Sequence, residues 1–112
     1  AIGDRVLKSL AQLLTDRLRK TDLIGRYGGE EFGIIMPNTS PDVALEIIEK
    51  LRISFSQLTF QSDSEEFKCS FSAGIASSSV FKQENKLIAA ADDAMYQAKE
   101  SGRNRTVIHN EY

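Results

Sequence analysis

The chain has 112 residues, with 14 Lys or Arg against 16 Asp or Glu, and a formal net charge of −2. Apolar residues make up 41% and charged residues 27%, a balance typical of a single globular domain. The near-zero net charge argues against a general nucleic-acid binder, and no apolar run reaches the roughly 18 residues of a membrane span. With one cysteine, Cys69, the chain cannot form an internal disulfide, and we expect a reducing, cytoplasmic location.

The first predicted element is an amphipathic helix over residues 4–20. Asp4 stands at the expected N-cap, where its carboxylate would accept hydrogen bonds from free backbone N–H groups. The apolar positions recur at spacings of three and four and predict one buried stripe: Val6, Leu7, Leu10, Leu14 and Leu18.

A β-hairpin is predicted next. Two apolar runs, residues 23–27 and 32–36, flank a Gly-Gly-Glu-Glu segment at residues 28–31. Glycine supplies the positive φ angles that a tight turn needs. The second strand would place Ile35 on one face and a second apolar set on the other, which predicts a sheet covered on both sides. That second set is Phe32, Ile34 and Met36.

The remaining elements alternate between helices and strands. Ser40 is expected to N-cap a helix that begins at Pro41. We then expect a polar loop over residues 61–66 and a strand over 67–76, with a close backbone approach or a bulge at Gly74. A helix over about 86–101, closed by Gly102, and a strand over 106–108 follow. This order predicts an α/β sandwich with at least one antiparallel hairpin.

The carboxylates at the predicted hairpin turn are the first candidates for chemistry. Glu30 and Glu31 are adjacent, and successive side chains of a strand point to opposite faces, so that one of them can face a site. A carboxylate beside glycine backbone suits a divalent cation and a polyphosphate. The alternative is an acidic turn that is simply solvated.

The end of the last predicted helix is the second candidate. Tyr96, Lys99 and Arg103 are spaced three and four apart and therefore lie on one side of the helix and its end. The two cations could clamp a triphosphate. The alternative is that they offset the dipole at the helix C-terminus.

Two more candidates concern the first predicted helix and the residues that follow it. Arg19 and Asp22 are three residues apart and could form an ordinary surface ion pair. Asp4 could accept two hydrogen bonds from a guanine edge, or act only as an N-cap. We interpret Cys69 as a small buried thiol and His109 as structural.

Four segments spread along the chain match the motifs of one known family. Residues 26–32, Arg-Tyr-Gly-Gly-Glu-Glu-Phe, match its signature in the GGEEF form. Gly3 and Asp4 match a Gly-Asp step before a helix. Residues 72–76 match a Ser-x-Gly-Ile-Ala strand, and residues 91–104 match an Ala-Asp-x-Ala-x-Tyr motif that ends in Gly-Arg-Asn. On these motifs, which cover almost the whole chain, the sequence resembles the GGDEF domains, the diguanylate cyclases.

The resemblance implies an enzyme that condenses two GTP molecules into cyclic di-GMP and releases pyrophosphate, with Mg²⁺ or Mn²⁺ as cofactor. By the same resemblance, Glu30 binds the metal and activates the 3′-hydroxyl, and Glu31 is the second acidic residue of the catalytic site. Gly28 and Gly29 would lie against the phosphates.

The resemblance also assigns substrate and inhibitor contacts. It implies that Asp4 binds guanine and that Lys99 and Arg103 hold the terminal phosphates. Arg19 and Asp22 match an inhibitory R-x-x-D site, where the product cyclic di-GMP binds and restrains the enzyme.

The implied fold is an α+β nucleotide-cyclase, or ferredoxin-like, palm with a central, mainly antiparallel sheet flanked by helices. A homodimer is the implied catalytic unit, with a sensory domain upstream that can anchor the parent protein to a membrane. In the family, a first strand and helix precede the Gly-Asp step and carry another metal-binding aspartate and a guanine-reading asparagine. We therefore expect residues 1–112 to be the C-terminal two thirds of the domain and to be inactive alone.

Two other hypotheses stay open. The chain could be a non-catalytic GGDEF module that binds GTP or cyclic di-GMP and regulates a partner. It could also be a structural piece that another chain completes. Replacement of Glu30 by Ala distinguishes the first of these from a cyclase. A cyclase should lose product formation, whereas a binding module should keep its effect on the partner.

Overall fold

A computed structural model describes the backbone of residues 2–27 and 31–109, with the side chains of residues 2, 24–27 and 31 left out of the description. The first element, helix α1, spans Ile2–Arg17. The prediction that Asp4 is the N-cap is therefore wrong, because the helix already begins at Ile2 and Asp4 lies within its first turn. An acidic residue there still interacts favourably with the positive end of the helix dipole.

The predicted hairpin is present as strands β1, Leu23–Tyr27, and β2, Glu31–Ile35. The strands are antiparallel, with Leu23 opposite Ile35 and Tyr27 opposite Glu31. One face packs on the core through Phe32, Ile34 and Met36, as predicted. On the other face Leu23 is 61% exposed and Ile35 63% exposed, so the expected cover on both sides is wrong for this face.

Helix α2 spans Pro41–Ser56, and its start follows the local sequence signal. Ser40 is extended, and its hydroxyl accepts a hydrogen bond from the Val43 N–H at 3.4 Å. Pro41 occupies the first turn, where its missing N–H costs nothing. The helix buries Ala44, Ile48, Leu51 and Phe55.

A second hairpin stands where a polar loop was predicted. Strand β3, Phe60–Ser62, pairs with strand β4, Glu65–Phe67, and the turn between them places Asp63 at a positive φ of 54°. The Phe60 and Phe67 rings lie opposite each other with centroids 5.7 Å apart. The loop prediction is wrong because this aromatic pair across the strands offsets the polar composition between them.

The last three elements form a parallel β-α-β unit. Strand β5 spans Ala73–Ala76, helix α3 spans Glu84–Glu100, and strand β6 spans Thr106–His109. β5 and β6 pair in parallel. The single strand predicted over residues 67–76 is therefore wrong in its middle: Phe67 ends β4, Ala73–Ala76 form β5, and residues 68–72 are not strand.

Helix α3 rests on β5 and β6 through small side chains. Ala90, Ala94 and Ala98 are buried, and Gly74 on β5 faces the helix backbone. The predicted close approach at Gly74 is confirmed, since a Cβ atom there would overlap the Ala91 carbonyl oxygen and the Met95 nitrogen. Gly102 follows the helix at a φ of 129°, as expected of a residue that ends a helix.

The hydrophobic core lies between α1 and α2 on one side and the strands on the other. Its buried centre consists of Leu10, Leu14, Ile48, Leu51 and Phe55. Cys69 is half-buried and packs against this centre. The predicted α+β class is confirmed, with the described strands arranged as three two-stranded sheets, β1–β2, β3–β4 and β5–β6. No helix in the described part is long and apolar enough to cross a membrane.

Candidate functional site

The signature segment connects the two strands of the first hairpin. Tyr27 and Glu31 are the last paired residues of β1 and β2 before the turn. Gly28, Gly29 and Glu30, and the side chain of Glu31, lie outside the described residues. Among the residues that are described, no three histidine, cysteine or carboxylate side chains form a group that could hold a metal ion.

A cavity of about 150 Å³ lies beside this hairpin, between α1 and β2. Phe32, the first residue after the two glutamates, forms one wall. The other lining residues lie on α1 at a helical spacing: Asp4, Leu7, Lys8 and Ala11. The cavity thus has apolar walls suited to a flat ring and a carboxylate that can accept hydrogen bonds from ring N–H groups.

Lys8 is a lining residue that the motif analysis missed. It stands four residues after Asp4, so both charged side chains lie on the same face of α1. That spacing was visible in the sequence, and it places a cation and a carboxylate at the same cavity.

The candidate cations Lys99 and Arg103 lie at the C-terminal end of α3. Both are exposed, and neither side chain forms a hydrogen bond or ion pair with another residue of the described ranges 2–27 and 31–109. The helix closes with a hydrogen bond from the Arg103 N–H to the Ala98 carbonyl at 2.9 Å. Gly102, Arg103 and Asn104 then follow one another with positive φ angles of 129°, 60° and 48°.

A polar cluster from α2 and β6 supports this left-handed segment. Arg52 donates to the Glu49 carboxylate at 2.6 and 2.8 Å and to Asn104 at 2.8 and 3.1 Å. Thr106 donates to Glu49 at 2.7 Å. The Arg52 hydrogen bond is the main cause that lowers the pKa of Glu49, and the hydrogen bond from Thr106 adds to it. Sequence analysis did not single out Arg52, because its partner Asn104 is 52 residues away.

The candidate inhibitory residues Arg19 and Asp22 form a closed pair. The Arg19 guanidinium donates to the Asp22 carboxylate at 2.9 and 3.1 Å, and the Arg19 N–H donates to it at 2.9 Å. Arg19 also donates to the Thr39 hydroxyl. The Asp22 side chain is fully buried, whereas that of Arg19 is 44% exposed. The hydrogen bonds from Arg19 lower the pKa of Asp22 below its usual value.

His109, at the end of β6, lies between Asp93 and Phe81. Its Nε2 lies 3.7 Å from a carboxylate oxygen of Asp93, and its ring meets the Phe81 ring edge-on at 5.2 Å. Its buried Nδ1 has no hydrogen-bond partner in the described part of the chain. The aromatic contact agrees with the structural role predicted for His109.

The sequence was compared with known protein families and with characterised proteins. The family model described as "Diguanylate cyclase, GGDEF domain" matches residues 1–105. The chain belongs to the GGDEF family. It is 38% identical over 106 residues to the diguanylate cyclase DgcP of Pseudomonas aeruginosa, which covers 95% of this chain but only 16% of that protein.

Solved GGDEF domains share the fold. The GGDEF domain of DgcB from Caulobacter crescentus, in complex with c-di-GMP, superposes with a TM-score of 0.86 at 28% identity, over 96% of this chain and 64% of that one. The active GGEEF domain of a diguanylate cyclase from Vibrio cholerae superposes with a TM-score of 0.78 at 30% identity, over 99% and 70%. The predicted GGDEF membership is confirmed by these similarities.

Proposed function

We propose that this chain is the C-terminal part of a diguanylate cyclase domain that condenses two GTP molecules into cyclic di-GMP and pyrophosphate. The observation that carries the proposal is the cavity between Asp4 on α1 and Phe32 on β2, directly beside the strand that follows the GGEEF turn. A carboxylate that can bind a base and the signature hairpin thus line the same cavity from opposite sides.

Residues that line the cavity would bind the guanine base of GTP. The Asp4 carboxylate is an acceptor only, which suits the adjacent N–H donors on the guanine edge. Leu7 and Phe32 provide apolar walls for the ring. Lys8 stands at the same cavity and favours an anionic ligand.

The glycines of the signature turn and the cations at the end of α3 would bind the phosphates of GTP. Gly28 and Gly29 leave the backbone open to a phosphate, because no side chain stands in the way. Lys99 and Arg103 are exposed and make no side-chain bonds with other described residues, so their charges are available to the terminal phosphates.

The carboxylates of the turn supply the chemistry. We assign Glu30 as the ligand of Mg²⁺ or Mn²⁺ and as the base that takes the 3′-hydroxyl proton, with Glu31 as the second acid. Oxygen ligands of this kind suit a hard divalent cation. The metal, when bound, neutralises the charge that builds up on the attacking and leaving oxygens.

Product inhibition belongs to the same proposal. Arg19 and Asp22 are paired in the segment between α1 and β1, and the exposed part of the Arg19 guanidinium can bind a phosphate of cyclic di-GMP. Cyclic di-GMP is present in the DgcB structure that this chain resembles.

The working unit is a homodimer, because one GTP per domain must meet a second one face to face. We further propose a cytoplasmic location, consistent with GTP as substrate and with the single Cys69, and a sensory domain upstream in the parent protein. The exposed side chains of Leu23 and Ile35 favour a further layer packed on this face in the whole domain, and the separate β1–β2 and β5–β6 sheets favour a further strand between them. Residues 1–112 alone are therefore proposed to be inactive.

Replacement of Glu30 tests the proposal. In the full-length parent protein, Glu30→Ala should abolish cyclic di-GMP formation from GTP and Mg²⁺, while GTP binding measured by calorimetry persists. The matched control is Glu46→Ala on the exposed face of α2, which should leave turnover unchanged. Unchanged turnover in Glu30→Ala would contradict the proposal. A parent protein that binds cyclic di-GMP through Arg19 and Asp22 but makes none would instead be a non-catalytic binding module.

A further inference from the structure

We propose that Arg52 is a positioning residue for Arg103: by bridging Glu49 and Asn104 it fixes the backbone from which Arg103 reaches the GTP phosphates. The inference rests on the proposed function, since it deepens the role given there to Arg103. Arg52 lies on α2 and does not itself belong to the turn or to the cavity described above.

The segment that carries Arg103 adopts a backbone that side chains disfavour. Gly102 tolerates its φ of 129°, but Arg103 and Asn104 also have positive φ angles. Such conformations persist only where the surrounding structure holds them, and they are concentrated at functional sites. Neighbouring residues must therefore hold the backbone of Arg103 and Asn104 in this conformation.

Arg52 supplies a large part of the restraint. Two of its nitrogens, Nε and Nη2, are engaged by the Glu49 carboxylate, and Nη1 donates to both the Oδ1 and the carbonyl oxygen of Asn104. The Arg52 side chain is only 15% exposed, so water competes weakly for its bonds to Glu49. Glu49 is held in turn by Thr106 on β6. The left-handed segment is thus fastened to α2 and β6 at once.

A second arginine restrains the other side of the segment. Arg105 donates from Nε to the Arg103 carbonyl at 3.2 Å, and its guanidinium lies against Gly102. The Arg103 N–H is bonded to Ala98. Both backbone groups of Arg103 are therefore occupied, while its side chain is exposed and makes no bond with other described residues. This combination fixes the root of the side chain and leaves its charge free for a ligand.

The bridge requires the shape of a guanidinium. Its planar fork presents separate N–H groups to Glu49 and to Asn104, whereas a lysine ammonium is a single point on a flexible stem. Arg52→Lys therefore keeps the charge and removes the bridge. Asn104→Gly is the second variant, because it removes the Oδ1 acceptor and tolerates the positive φ.

The experiment measures nucleotide affinity and turnover in the full-length parent protein. We expect Arg52→Lys and Asn104→Gly to weaken binding of a non-reactive GTP analogue, with Mg²⁺, by about tenfold, as for the loss of a well-placed charged contact. The KM for GTP should rise by a similar factor while kcat at saturation stays within about twofold. Lys50→Ala, on the exposed side of α2, is the matched control and should change neither.

A double-mutant cycle separates positioning from general stability. In an Arg103→Ala background, Arg52→Lys should have no further effect on analogue affinity, because the residue that it positions is gone. An equal loss of affinity in both backgrounds, or no loss from Arg52→Lys when Arg103 is intact, would overturn the inference. If the wild type binds the analogue but makes no product, the proposed function fails, and the affinities still decide the role of Arg52. If the wild type binds no nucleotide, both fail.

Discussion

Gly74 on β5 lies directly against the backbone of Ala91 on α3, with no space for a side chain between them. The helix can approach this closely because it also presents Ala94 and Ala98, which are fully buried. The contact joins the sheet to the helix whose end carries Lys99 and Arg103. The short distance between β5 and α3 thus depends on the lack of a side chain at Gly74.

Gly74→Ala should therefore be strongly destabilising. The added methyl group would overlap backbone atoms of Ala91 and Met95, which cannot turn away as a flexible side chain would. We expect a loss of about 2–3 kcal/mol in the free energy of unfolding measured with urea. Gly3→Ala is the control, because its added methyl group meets nothing within 4 Å and lies in α1. It should leave stability unchanged or raise it by up to about 1 kcal/mol. Equal effects of the two substitutions would contradict the packing described here.

The buried Asp22 carboxylate should make stability depend on pH in the acid range. Its pKa is lowered in the folded protein, chiefly by the hydrogen bonds from Arg19. The stabilisation is therefore complete above the unfolded pKa, about 3.9, and is lost as the pH falls through the lower folded value.

Asp22→Asn measures that contribution. At pH 7 the variant should unfold with a free energy about 1–3 kcal/mol below that of the wild type, since it loses the charged partner of Arg19. The difference should shrink as the pH drops below about 4, where the wild-type carboxylate also becomes protonated. Asp92→Asn, an exposed carboxylate in the interior of α3, is the control for ordinary surface charge. A difference that stays constant down to pH 2 would show that ionisation of Asp22 contributes nothing.

The Arg19–Asp22 pair also makes a prediction for product binding. If the proposed inhibitory site binds a phosphate of cyclic di-GMP through the exposed Arg19 guanidinium, Arg19→Ala should lower the affinity for cyclic di-GMP at least tenfold in calorimetry. Arg17→Ala, an exposed cation at the end of α1, should change the affinity less than twofold by the same scale. Similar losses in both variants would indicate general charge attraction instead of a site.

Local chemistry explains which parts of the fold were predictable. Ser40 and Pro41 start α2 because capping needs only neighbouring residues, and Gly74 and Gly102 stand out because few other residues fit their positions. The β3–β4 hairpin escaped prediction because its pairing depends on Phe60 and Phe67 meeting across a polar turn. The start of α1 before Asp4 likewise overrides a strong local cap signal.

The candidate site likewise has parts that local sequence predicts and parts that only the folded chain brings together. The motif residues are recognisable from their spacing, whereas the support of Arg103 by Arg52 joins residues 51 positions apart and exists only in the folded chain. The Asp4–Phe32 cavity is intermediate, since the sequence indicated Asp4 as a base contact but gave no sign that Phe32 would form the opposite wall.

The hairpin of β1 and β2 has a consequence for hydrogen exchange. Within the described residues its strands pair only with each other, and a two-stranded ribbon is marginally stable without packing. Among the hairpin side chains that are described, Phe32, Ile34 and Met36 attach it to the core. The amides of Leu23–Tyr27 should then exchange through local opening well before those of β5, which α3 covers at van der Waals distance. A further strand paired with β1 or β2 would therefore slow exchange most in these two strands, which carry the GGEEF turn.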